Sequence, residues 1–346
     1  MPDIDIRTTG RAGRITLTRH KALNALSYDM CMAIDSALRN WREDDDVDLV
    51  ILDAEGEKAF CAGGDIAELY ETGTKEDFSF GQTFWRDEYR LNALIFEYPK
   101  PVISFLQGFT MGGGVGIGCH GSHRVVGESS QIAMPECSIG LVPDVGGSLM
   151  LALAPGRLGE YLGTTGYRMG PADAILVGFA DYFIPQINWP DLIELLEASG
   201  RAEIIDDHAH TPPIGTLNYL QAEIDQCFDG ETLSDILNNL RNIESEFSNK
   251  AMTALRRNSP LSVACTIEML HRLRGTSLTI RKALELEYRF TFRAMEHGDI
   301  LEGIRAQIID KDRNPQWQFA DMNVPAVAVS KMLQPLGSDA LSFPEE

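Results

Sequence analysis

Twice in its first third this chain drives an apolar strand towards a glycine-rich turn. Leu49-Val50-Ile51-Leu52 reads as a buried strand ending at Cys61-Ala62-Gly63-Gly64-Asp65-Ile66. Pro101-Val102-Ile103-Ser104-Phe105-Leu106 is another, running into Met111-Gly112-Gly113-Gly114-Val115-Gly116, and the next helix starts inside that loop. Backbone amides in such turns have no side chain in front of them. The constraint is strong: strands must hand over to helices through turns that a ligand can approach closely. Further segments obey it. Arg14–Thr18 alternates like a strand, and Ser27 is placed to N-cap a helix whose one face is Met30, Ile34, Ala37, Leu38 and Trp41. His123–Val126 and Gln131–Met134 read as short strands, Leu149–Leu153 and Arg157–Leu162 as helical, and Pro171 fits the first turn of a helix to Val177. Short strands come in pairs before a helix, which is not the simple βαβ alternation of a dinucleotide fold. The Gly112–Gly116 run also lacks the G-x-G-x-x-G layout with a later acidic ribose contact, so NAD binding is rejected on spacing.

Beyond Asn188 the strand signal disappears. Pro190–Ala198, Leu217–Phe228, Leu233–Phe247, Ser262–Leu273 and Ile280–Glu296 read as helices, with an irregular connection over Arg201–Thr216. The expectation is an α/β core over 1–187 and a mainly helical region over 188–346. The net charge of −21 argues against nucleic acid and anionic membrane as partners. No apolar run reaches the roughly 20 residues of a membrane span. The six cysteines form no C-x-x-C pair and no zinc spacing with the histidines, so buried thiols in a reducing compartment are expected and no metal is implied. The acidic start, Met1–Ile6, resembles neither a signal nor a transit peptide, which gives a cytoplasmic expectation.

The chemistry concentrates in Met134-Pro135-Glu136-Cys137-Ser138-Ile139-Gly140-Leu141-Val142-Pro143-Asp144-Val145-Gly146-Gly147. Two carboxylates, Glu136 and Asp144, share one irregular segment. Together with two turns that present N–H groups, they are the parts needed to polarise a carbonyl and move protons beside it. The competing reading of Asp144 is a helix N-cap. Cys137 has no base beside it in sequence to activate a thiolate. His120 and His123 read as packing residues, Asp65 as a pin for its turn, and Arg281–Arg293 as the charged face of a long helix.

Four stretches, Lys21–Leu26, Cys61–Ile66, Gly108–Gly118 and Ala133–Gly147, together resemble the crotonase (enoyl-CoA hydratase/isomerase) superfamily. A fifth, Asp299–Ala306 through Ile309–Trp317, is similar to its 3-hydroxyisobutyryl-CoA hydrolase branch. The resemblance implies an α/β fold, a crotonase-like spiral of repeated ββα units with a helical C-terminal region. It implies an acyl-CoA thioester whose carbonyl oxygen lies between the N–H groups of Gly64 and Gly113. It assigns Glu136 and Asp144 as the catalytic pair and Glu88 to substrate binding. Lys21, Ala22, Leu23, Ala62, Gly63, Asp65 and Ile66 would line the CoA end. CoA enters as part of the substrate, with no cofactor, and homo-oligomers (trimers or hexamers) are the family's habit.

The acids discriminate among reactions. A hydratase of this superfamily carries one glutamate two residues after the glycine triplet, where this chain has Gly116, and no acid at the place of Asp144. The resemblance therefore favours thioester hydrolysis in valine breakdown, with Glu136 either attacking the carbonyl or activating water. The alternatives are an enoyl-CoA hydratase/isomerase, and a non-catalytic acyl-CoA-binding protein, for which two retained acids would have no use.

Overall fold

The structure, a computed structural model, describes residues 3–275 and 277–343. In chain order the strands are β1 (Ile4–Thr9), β2 (Ala12–Leu17), β3 (Leu49–Ala54), β4 (Ala59–Cys61), β5 (Val102–Phe105), β6 (Phe109–Met111), β7 (His123–Val126), β8 (Gln131–Ala133) and β9 (Tyr182–Phe183). β1 and β2 form an antiparallel hairpin in register Ile4 to Leu17. One sheet runs β1-β2-β3-β5-β7-β9, parallel after the hairpin, and the second runs β4-β6-β8, also parallel. From β3 onward, successive strands therefore alternate between the sheets. Each circuit of the chain lays one strand in each sheet and leaves through helix, which is the spiral of ββα units expected. Strands paired on both edges and covered on both faces read as unbroken apolar runs. That is why Leu49–Leu52 and Val102–Phe105 are buried throughout.

The chain divides into two compact units that interleave in sequence instead of meeting at residue 188. The first is 1–65, 90–133 and 168–218; the second is 66–89, 134–167 and 219–346. Both sheets lie in the first unit. Its core joins Leu49, Ile51, Ile103, Phe105 and Val125 to Trp189, Leu192 and Leu196 of the helix Trp189–Ser199. The helix Tyr28–Arg42 buries the expected stripe, and Ser27 Oγ accepts from Met30 N as anticipated. In the second unit the helix Pro260–Leu273 packs against Gly147–Leu153, Leu158–Thr165 and Ala326–Leu333.

The helical reading beyond Asn188 needs one correction. Leu233–Phe247 is not one helix: it stops at Asn242, and a second helix, Glu246–Arg257, starts from a reciprocal cap between Ser245 and Ser248. Such a cap satisfies two N–H groups that a continuing helix would satisfy itself, so it marks a fresh start. A short helix, Ile204–His208, interrupts the irregular connection. Strand β1 and the helices Ala67–Gly73, Ser79–Phe96 and Ala326–Leu333 lie outside the sequence expectations.

Candidate active site

The first unit builds a donor face from turns that only glycine permits. Gly112 has φ 50° and ψ −120°, and Gly63 has φ 124°. A Cβ on Gly114 would stand 2.2 Å from Cys61 O, so the start of the helix Gly113–Gly118 presses on the end of β4. The 61–65 turn is stitched to the preceding loop by Ala62 N to Leu23 O (3.0 Å), Leu26 N to Gly63 O (2.9 Å) and Asp65 N to Leu26 O (2.8 Å). Arg19 pairs with Asp65 at 2.8 Å, the pinning role anticipated for that aspartate. Asn24, buried with φ 54°, donates to Glu55 O and Ala59 O and fixes the loop's other side. Among the described residues the N–H groups of Gly64 and Gly113 make no hydrogen bond. Two amides on pinned glycine turns are thus left for an outside acceptor. Leu23, Ala62, Gly63, Asp65 and Ile66 are half-exposed, and Lys21 and Ala22 are exposed on the short turn His20–Ala22.

The second unit gathers acids. Glu88 and Tyr89 come from Ser79–Phe96, Glu136 from the turn Glu136–Ile139, Asp144 from the loop after it, and Glu287 from Ile280–His297. All are at most 4% exposed. Tyr89 Oη donates to Asp144 Oδ2 at 2.7 Å, and Tyr288 packs edge-on against the Tyr89 ring. Glu287 accepts from Gly146 N (2.9 Å), Ser148 N (3.1 Å) and Ser148 Oγ. Asp144 is not a helix N-cap. The following helix, Gly147–Leu153, has Gly146 at that place, and the Asp144 side chain takes the tyrosine hydroxyl instead. Val145 at φ 51° and Gly146 at φ 80° turn the chain left-handed. For a β-branched residue this is a strained state of about 1–3 kcal/mol that its surroundings must hold.

The Glu136 turn is gripped from the C-terminal region, which explains the fifth motif. Gly140 (φ 78°) abuts Asp299, and a Cβ on Gly303 would meet Ile139 O at 2.1 Å. Ser259 N donates to Cys137 O at 2.9 Å, and Ser259 Oγ to Asp299 Oδ2 at 2.6 Å. Cys137 Sγ lies against Gly163 O and Thr266 Oγ1, and burial pushes its thiol up to about 12, which removes it as a nucleophile.

Burial with mutual repulsion sets the protonation of these acids. Burial and then the Asp144 charge push Glu136 and Glu88 well above the usual carboxylate range. Burial raises Asp144 to about 7 although the Tyr89 hydroxyl pulls it down. Burial raises Glu287 to about 8 against the donors of Ser148 and Gly146. Among the described residues no cation stands among the leading influences on any of the four. Such a group holds protons at neutrality and can supply one carboxyl as acid and another as base or nucleophile. Glu136 Oε2 and Glu88 Oε1 are buried with no hydrogen-bond partner among the described residues. A buried acceptor without a partner is costly unless a ligand completes it.

Tyr89 and Glu287 escape sequence reasoning because their partners are 55 and 141 residues away. The helical phase holds a clue to the second: Ile280, Ala283, Leu284, Glu287 and Thr291 fall on one buried face. The charged-face reading of Arg281–Arg293 holds for exposed Arg281 and Lys282 and fails for Glu287.

A family model described as enoyl-CoA hydratase/isomerase matches residues 12–333. A protein of Rattus norvegicus named 3-hydroxyisobutyryl-CoA hydrolase, mitochondrial, is 37% identical over 353 residues, covering 99% of this chain and 91% of its own. A crystal structure of an enoyl-CoA hydratase from Rhodobacter sphaeroides 2.4.1 is 56% identical with a TM-score of 0.95, covering 99% of this chain and 100% of its own. That of a carnitinyl-CoA dehydratase from Mycobacterium thermoresistibile is 36% identical with a TM-score of 0.94, covering both chains fully at 100%. Three activity names on one fold mean that the fold alone does not choose the reaction. Likeness of this extent nevertheless fixes the family: the chain belongs to the enoyl-CoA hydratase/isomerase, or crotonase, family of enzymes acting on acyl-CoA substrates.

Proposed function

We propose that the protein hydrolyses the thioester of 3-hydroxyisobutyryl-CoA, or of a close short 3-hydroxyacyl-CoA, to the free hydroxy acid and CoA. The observation that carries this reading is Asp144, buried, held by Tyr89 and electrostatically linked to Glu136. A hydratase of this family uses an acid at the place of Gly116, which has no side chain to offer. The relatives named 3-hydroxyisobutyryl-CoA hydrolase support the same choice.

In the proposed reaction the amides of Gly64 and Gly113 receive the thioester oxygen as it gains negative charge. Losing one such donor typically costs about 3–4 kcal/mol of barrier. Water supplies the oxygen that ends on the acyl carbon, the C–S bond breaks, and the thiolate takes a proton. Two routes fit the acids. Glu136 attacks the carbonyl to give an anhydride that water then opens, or Glu136 takes the proton of an attacking water. Asp144 orients that water or the substrate hydroxyl, and Glu88 Oε1 binds the hydroxyl. Lys21, Ala22, Leu23, Ala62, Gly63, Asp65 and Ile66 line the CoA end. CoA is the only carrier group the reaction uses. Cysteines without disulfides fit a reducing compartment, of which we propose the cytoplasm; the curated relatives carry "mitochondrial" in their names. A homotrimer or hexamer is the expected assembly, to be read by light scattering.

The test is thiol release from (S)-3-hydroxyisobutyryl-CoA by wild type, Glu136→Gln and Asp144→Asn. Rapid release lost in both variants supports the hydrolase. A folded wild type that releases no thiol sinks it. The hydratase reading, favoured by the 56% identical crystal structure, would then be tested by crotonyl-CoA hydration. Failure of both reactions with CoA still bound would point to a binding protein.

A further inference from the structure

We infer that Glu287 is a positioning residue for the Asp144 turn: it clamps the amides of Gly146 and Ser148 and thereby fixes where Asp144 presents its carboxyl. The inference rests on the proposed hydrolase reading for its kinetic consequences and on the geometry alone for the clamp.

The turn needs such a clamp. Val145 and Gly146 are both left-handed, and a β-branched residue does not stay at φ 51° on its own. One local bond, Gly147 N to Asp144 O at 2.7 Å, closes the turn on itself. A restraint from outside the turn comes from Glu287, whose two oxygens take Gly146 N and Ser148 N separately, with Ser148 Oγ on the second. A bidentate grip on two amides two residues apart fixes the peptide planes between them. Asp144 is also held from the other side by Tyr89, whose ring rests on Tyr288, the neighbour of Glu287 in sequence. One helix, Ile280–His297, thus supports both the turn and the tyrosine that holds its acid. Glu287 is fully buried, and an apolar residue in its place would leave the amides of Gly146 and Ser148 without their acceptor. The groups facing it are Asp144, Tyr89 and Glu136, and none of them carries positive charge.

Glu287→Gln is nearly isosteric but offers one acceptor and one amino group, so in either flip a donor meets a donor. The expected result is a fall in kcat of about 10- to 100-fold, the scale of a misplaced catalytic group. Binding of the substrate's thioether analogue, in which a methylene replaces the carbonyl, stays within about threefold, since Glu287 serves the reacting geometry and not the grip on CoA. Amide exchange over 144–148 accelerates in the substrate-free protein, while the rest of the chain keeps its protection. Ser148→Ala retains both backbone donors and is expected to lose less than Glu287→Gln in every readout. Unchanged kcat with unchanged exchange over 144–148 would overturn the inference. So would a loss of analogue binding as large as the loss of kcat, or exchange accelerated throughout the chain. If wild type hydrolyses no hydroxyacyl-CoA, the proposed function fails separately, and local exchange alone decides the clamp.

Discussion

Replacing Tyr89 with phenylalanine removes one oxygen atom from a site with no room to rearrange. The ring is fully buried against Tyr288, so its packing survives and the fold is expected to persist. What is lost is the hydrogen bond to Asp144 Oδ2 at 2.7 Å, the side-chain donor that lowers the Asp144 carboxyl against its burial. A hydrogen bond to a charged group contributes about 1.5–3 kcal/mol. At about 1.4 kcal/mol per pH unit, its removal raises Asp144 from about 7 by roughly 1–2 units. The donor is present at every accessible pH, because burial and then the Asp144 charge push the Tyr89 hydroxyl well above its ordinary range. If hydrolysis needs ionised Asp144, which is half ionised at pH 7 in the wild type, the acid limb of kcat/KM moves up by the same 1–2 units, and turnover at pH 7 falls by about 5- to 50-fold. Thiol release across about pH 5.5–10, with the spontaneous rate subtracted, measures it, because the limb must be followed to about a unit above its displaced midpoint. Recovery of the variant at high pH is the signature. An unmoved acid limb, or one displaced downward, would refute the assignment of Tyr89 as the group that keeps Asp144 ionised.

Gly114→Ala drives a methyl into Cys61 O, 2.2 Å away, and separates the two amide turns; hydrolysis is expected to fall on the order of 100-fold with circular dichroism unchanged. Gly303→Ala puts a methyl 2.1 Å from Ile139 O, with backbone on both sides; a melting experiment is expected to show a loss of about 1–3 kcal/mol, with lower kcat from the displaced Glu136 turn. Glu160 has no exposure, and although burial would raise it, His271, Arg274 and Arg157 bring it down to about 2. A depressed folded value stabilises above the unfolded one and is lost as pH falls through about 2. Glu160→Gln should therefore cost about 3 kcal/mol in denaturant melts at pH 7 and progressively less in acid.

The fold was legible where chemistry is local. Glycine turns announced both donor loops, Ser27 announced its cap, and the paired strands spoke against a simple βαβ alternation, while the spiral itself came from the resemblance. The Glu136–Asp144 segment stood out because two acids in a glycine- and proline-punctuated stretch have few structural uses. What escaped depends on partners far along the chain. Glu88 was reached through resemblance, while Tyr89 beside it was not, because only the packed helix shows which hydroxyl meets Asp144. Glu287 looked like one more charge on a charged helix until its phase placed it inward. The break at Ser245 was missed for a subtler reason: its partner in the reciprocal cap is Ser248 rather than the acid or amide usual there.

Interleaving of the two compact units carries a genetic consequence. Neither unit is encoded by one uninterrupted stretch, and the segment 134–167, with Glu136 and Asp144 on it, leaves and re-enters the first unit between β8 and β9. Its two ends are drawn together by a reciprocal backbone pair, Ile132 N to Met169 O at 2.9 Å and Met169 N to Ile132 O at 2.8 Å. Truncation from either terminus therefore cannot yield an intact half. Exchange of the acid-bearing stretch between relatives is another matter, because a closed neck of two hydrogen bonds marks where a crossover would leave both sheets whole.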